Sequence, residues 1–207
     1  MIRPLTATML AVLPCGGAAA AVPPATFLDA FLTACLNAYD DPAARNAVIA
    51  AAGWRPVADD ADPMLAAVME ASRDALASAR DEEGYDGAVA AFGQTLGGAD
   101  AYLVATEFDM PAGSEPEIDL LGCYLYDFAA DGPLDASRIT ARFDVPPAEI
   151  ENQPGIIVAE VWNIETLPGV WELRSTFIPA DGPAAAITGF SGRVLSVTAT
   201  WDHGGRG

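Results

Sequence analysis

The hydrophobic positions of this 207-residue chain change their period near its middle. Phe27, Phe31 and Cys35 fall at i, i+4 and i+8, flanked by Leu28, Leu32 and Leu36, which predicts an amphipathic helix that carries the cysteine inward. Thr26 with Asp29 three residues on gives that helix a capping-box start. Asp41-Pro42 and Asp62-Pro63 each place an N-cap acid before a proline suited to the first helical position. They predict a second helix to about Ala52, stopped by Gly53 ahead of Trp54, and a third from Met64 to about Arg80. Leu65, Val68, Met69, Ser72 and Leu76 form one stripe of that third helix.

Beyond the loop Asp81-Glu82-Glu83-Gly84-Tyr85-Asp86-Gly87, segments rich in aromatic and β-branched residues recur between Gly, Pro and Asp clusters. They predict strands over 101–108, 120–128, 155–165, 170–178 and 194–201. Residues 134–143, entered from Asp131-Gly132-Pro133, read as a helix, and residues 88–97 fit either a helix or a strand. Pro168-Gly169 predicts a type II turn closing a two-residue hairpin loop. On that register Trp162, Ile164, Trp171, Leu173 and Phe177 share a core face, while Asn163, Glu165, Glu172 and Arg174 share a wet one. The expected fold is therefore a single α+β domain: about three N-terminal helices (about 26–80) packed on a mainly antiparallel sheet of about five strands (about 100–201), with one disulfide.

The first 21 residues stand apart from this pattern. Arg3, the apolar stretch Leu5–Leu13 and the small residues from Gly16 to Ala21 read as a secretory signal peptide, cleaved after Ala20 or Ala21, with 22–207 as the mature domain. The apolar core is shorter than a membrane span and is interrupted by Pro14, so stable membrane insertion after cleavage is not expected. Pro14 also makes Cys15 a poor lipidation site. Cleavage leaves two cysteines, Cys35 and Cys123, in an oxidising compartment, where such a pair forms a disulfide. The loop-entropy estimate for so long a ring is about 4 to 5 kcal/mol.

Composition removes several chemistries. All ten basic residues are arginine, and the sole histidine, His203, lies in a glycine-rich tail. Schiff-base and P-loop lysines are thus absent, and Ser-His-Asp, Cys-His and histidine-built metal sites are not expected. The formal charge is −19 and becomes −20 without the leader, which argues against nucleic-acid binding. No GxGxxG, HExxH or GxSxG pattern occurs, so neither a catalytic residue nor a cofactor is assigned.

Carboxylates are what remains. Asp81, Glu82, Glu83 and Asp86, with Glu107, Asp109 and Asp119, form two acidic stretches that could meet a basic partner. Glu115 and Glu117 lie within the second of them. The same groups could instead serve a carboxylate-dependent hydrolase or a calcium-dependent module, although no DxDxDG loop is present.

The leader, the cysteine-bearing helix from Phe27 to Tyr39, the Gly53-Trp54 step and the Ala-rich, lysine-free composition together resemble small uncharacterised secreted or periplasmic proteins of GC-rich Gram-negative bacteria. That resemblance implies export and transfers no activity or site residue. The sequence thus leads to the expectation of a periplasmic or secreted, acidic, non-catalytic binding or inhibitor-like protein, whose partner would be a cationic secreted protein.

Overall fold

The computed structural model describes residues 19–37, 39, 41–110 and 118–202. Most of the leader, Cys15, Glu115, Glu117 and His203 lie outside them. Along the chain, the described elements are α1 (Pro24–Ala34), α2 (Pro42–Ala51), β1 (Arg55–Pro56), α3 (Pro63–Glu83), β2 (Asp86–Leu96), β3 (Ala99–Asp109) and β4 (Ile118–Asp127). There follow α4 (Ala136–Phe143), β5 (Glu149–Gln153), β6 (Ile157–Trp162), β7 (Val170–Ile178), α5 (Pro183–Thr188) and β8 (Gly192–Asp202).

The Asp-Pro signals locate two helix starts. Asp41 Oδ1 accepts the Ala44 N–H at 3.2 Å, and Asp62 Oδ1 accepts those of Met64 and Leu65 at 2.7 and 3.3 Å. α3 runs three residues past Arg80 and stops at Gly84, whose φ of 78° is the left-handed cap glycine adopts readily. α1 departs from the expected box: it begins at Pro24 after Pro23, with no side-chain cap, and so takes in Thr26 and Asp29. A proline in the first turn lacks only a donor that the helix would have left unbonded, so the Pro23-Pro24 pair starts the helix without an Asp or Ser.

The sheet has eight strands in the order β1-β2-β3-β4-β8-β7-β6-β5, with antiparallel neighbours throughout. After β4 the chain crosses through α4 to the far edge and returns inward as β5, β6, β7 and β8, which pairs with β4. All five expected strands are present, and the α+β class with a disulfide holds. The strand count of about five is corrected by three additions. β1 is only two residues long, β5 is exposed at every position, and β2 takes residues 88–96 of the ambiguous stretch 88–97 as strand, with Gly97 in the turn that follows.

The expected layering is also corrected, because the helices cover both faces of the sheet. Phe27 and Phe31 of α1, Ile49 of α2 and Ile139 of α4 pack with Leu103, Leu125, Trp162, Leu173 and Leu195 on one face. Leu65, Val68 and Met69 of α3 pack with Ala91, Val104, Tyr126 and Val194 on the other. Strand alternation makes this possible: Leu103 and Val104 are neighbours in sequence yet belong to opposite cores.

The hairpin register needs correction too. Val170 N–H donates to the Leu167 carbonyl at 3.1 Å and Gly169 has φ 81°, as a type II turn requires. The ladder does not continue directly from it, because a second turn from Ile164 to Leu167 intervenes and Trp162 pairs with Leu173. This two-residue shift preserves the faces, so Trp162, Ile164, Leu173 and Phe177 are buried as expected. Trp171 is the exception at 57% exposure, since the β7–β8 register slips between Val170 and Glu172 and turns it out as the bulged residue.

Candidate functional site

The two acidic stretches converge. Antiparallel pairing brings the start of β2, the end of β3 and the start of β4 to one end of the sheet, where Asp86 stands opposite Asp109 and Glu107 opposite Leu121. Asp119 sits two residues before Leu121 on β4, opposite Trp201 of β8. Asp81 and Glu82 are exposed in the last turn of α3 and Glu83 closes that helix, just ahead of β2. The expected contact residues therefore occupy one helix terminus and three adjacent strand ends.

Their environments differ. Asp86 is exposed, pairs with Arg80 and accepts the Gly87 N–H at 2.9 Å, and the Arg80 bond holds its carboxyl below the ordinary range. Asp119 is buried, at 5% exposure. Glu107 is half-buried, and Arg45 of α2 sits behind it, donating through Nη1 to the Thr106 carbonyl at 3.0 Å and meeting Glu107 Oε2 at 3.5 Å. Burial pushes the Glu107 carboxyl upward; Arg45 opposes this, while Asp109 and Asp119 add to it. The Glu107 carboxyl is thus held above its ordinary range, chiefly by burial, beside acids that repel its charge.

Gly87 fixes how closely this end is built. A Cβ there would collide with the carbonyl oxygen of Glu107. Glycine is required for the backbone approach that sets Asp86 next to β3.

Sequence reasoning missed Trp171. Val170 pairs with Ala199, Ala199 with Leu121 and Leu121 with Glu107, so the exposed indole emerges beside a line that crosses four strands to the acidic end. One strand, β8, lies between it and β4, a lateral distance of about 10 Å at ordinary strand spacing. The bulge that exposes it has no sequence signature here, because Trp171 alternates correctly with Leu173 and Phe177.

The other candidate arrangements are dispersed. A cavity of about 370 Å³ between α1 and α4 is lined by Asp29, Leu32, Leu36, Arg142, Phe143 and Leu167. Another of about 430 Å³ has Arg55, Gln94, Asp100 and Tyr102 in its wall. Neither contains Glu107, Asp109 or Asp119. Among the described residues no group of three or more His, Cys, Asp or Glu side chains converges as metal ligands would. Cys35 and Cys123 are joined, with Cα atoms 5.6 Å apart, linking the end of α1 to the middle of β4. No described helix is long and apolar enough to cross a membrane.

No family model matches this chain, and no curated protein or solved structure matches it.

Proposed function

We propose that this is an exported, acidic, non-catalytic binding protein, inhibitor-like in action, whose partner is a cationic secreted protein such as a basic hydrolase. The observation that carries the reading is that Asp81, Glu82, Asp86, Glu107 and Asp109 lie toward one end of the sheet, with the exposed Trp171 two strand spacings beyond β4, while Asp119 at the same end is buried. Clustered like charge steers an oppositely charged partner and raises its association rate. An exposed tryptophan supplies the large apolar contact that charge alone lacks, and such residues dominate the energetics of protein interfaces. The disulfide and the leader-like first 21 residues support an oxidising destination, periplasmic or secreted. Titration against a panel of basic secreted enzymes at low and raised salt tests the proposal. Salt-sensitive binding weakened by Trp171→Ala supports it, and no binding to any member at low salt removes it.

A second reading rests on Glu107. It lies on the same side of the sheet end as Asp109 and Asp119, and a carboxylate-dependent hydrolase would use Glu107 with one of these acids facing a shared substrate. Hydrolysis of a glycoside panel that disappears in Glu107→Gln would favour it; a wild-type protein inert on that panel would not.

A further inference from the structure

Val22 is the first buried residue of the described chain, set between exposed neighbours on both sides. Ala19, Ala20 and Ala21 are exposed, whereas Val22 is 1% exposed. Its N–H donates to Asp127 Oδ2 at 3.0 Å, and its carbonyl accepts from Arg193 Nη2 at 2.9 Å. The same Nη2 reaches Asp127 Oδ2 at 2.7 Å, and the guanidinium lies over the Phe27 ring, 4.9 Å from its centroid. Asp127 is fully buried, and its second oxygen, Oδ1, has no hydrogen-bond partner among the described residues. A buried carboxylate oxygen without a donor is costly, so a group able to supply one there stabilises the fold.

We infer that an endopeptidase cutting after small residues removes residues 1–21, and that the α-ammonium thereby created on Val22 is a ligand of the buried Asp127 carboxylate. This rests on the export reading above. Ala19 and Ala21 provide the small-x-small pattern that such peptidases accept, and the cut falls directly before the buried, hydrogen-bonded Val22. Hydrolysis breaks the bond between the Ala21 carbonyl carbon and the Val22 nitrogen. Water gives its hydroxyl to that carbon and a proton to the nitrogen, and the new carboxylic acid passes its proton through solvent to the amine. The products are the Ala21 carboxylate and the Val22 ammonium. Because Val22 is enclosed once folded, the cut is made on the still-extended chain.

The amide has one N–H, already committed to Oδ2; the ammonium has three, so Oδ1 gains a donor while the Oδ2 bond is kept. Asp127 then holds two cations. Arg193 is eased by the Phe27 π-face, and the ammonium by water occupying the place of the exposed Ala21.

The chain contains no lysine, so the α-amine is its sole primary amine and an amine-reactive ester reports on that group alone. Two oxidised proteins are released from a removable N-terminal tag, one beginning at Val22 and one at Ala21. The Val22 amine is expected to label at least about tenfold more slowly in the native state than in urea, while the Ala21 amine labels rapidly in both. The folding constant of the Val22 protein should exceed that of the Ala21 protein about tenfold, as a charge-assisted bond to a buried group implies, and Asp127→Asn should erase the difference. If that variant does not fold, the wild-type comparison decides. Equal labelling and equal folding constants overturn the inference. In a separate arm the full chain is expressed in a Gram-negative host and the exported product is weighed. A product starting at Val22 supports the inference, and one starting elsewhere overturns it while leaving the export reading intact. A full-length chain retained in the cytosol overturns the export reading, and the labelling arm still decides whether Asp127 binds the amine.

Discussion

Arg45 of α2 stands 3.5 Å from Glu107 of β3, the guanidinium almost wholly buried and the carboxylate about one-quarter exposed. The pair joins the helical layer to the acidic end of the sheet, so the electrostatics of that end belong to the folding equilibrium as well as to any partner.

A pH dependence follows. The folded-state pKa of Glu107 is raised, chiefly by burial, so its contribution to stability is full below the ordinary glutamate value, about 4.3, and is lost as pH rises through the folded value. The stability of Glu107→Gln relative to wild type should therefore improve between pH 4 and pH 7. Urea midpoints of both proteins at the two pH values check this, and a decline would contradict the assignment.

Trp162 and Trp171 occupy opposite environments, one buried and one exposed. Trp162→Ala should cost about 3 to 5 kcal/mol, because the ring is fully buried opposite Leu173 and its N–H reaches Thr140 Oγ1 of α4 at 3.4 Å. Trp171→Ala should stay within about 0.5 kcal/mol. Chemical denaturation of both variants reads the contrast, and a large loss at Trp171 would mean that the indole is packed.

Reduction of Cys35–Cys123 should lower stability by about 4 kcal/mol, since the bond closes an 88-residue separation between α1 and β4. Denaturant midpoints with and without reductant measure it. A change below about 1 kcal/mol would place the constraint elsewhere, in residual structure of the unfolded chain.

Arg193 and Asp127 form a pair in which both partners are almost fully enclosed. Asp127→Ala or Arg193→Met should each cost about 3 to 5 kcal/mol, because each leaves an uncompensated buried charge. The double substitution should cost clearly less than the two losses added together. A double-mutant cycle in urea gives the coupling, and simple additivity would rule it out.

How legible each element was follows from what its residues meet. Asp41-Pro42 and Asp62-Pro63 were readable because capping is local chemistry, decided within four residues. The five expected strands were readable because each packs against one or both cores, which imposes β-branched and aromatic residues. β2 was ambiguous because Ala88, Ala90 and Ala91 satisfy helix and strand alike, and only pairing with β3 decides between them. β5 was invisible because Glu149–Gln153 is exposed on both faces and carries no alternation. At the candidate site, the acidic residues were individually identifiable, but their convergence depends on strand register and the exposure of Trp171 on a one-residue slip. Neither is encoded in a local pattern.

The two edges of the sheet carry a consequence for self-association. An open eight-stranded sheet ends in unpaired backbone donors and acceptors, a template onto which a second chain could add. Here one border strand is two residues long and ends in Pro56, which has no N–H to offer. The other sets the exposed Ile150 between Glu149 and Glu151, so an incoming copy meets its own negative charge at each outer position. The brevity and proline of one border and the flanking acids of the other both disfavour the addition of a second copy at those two strands.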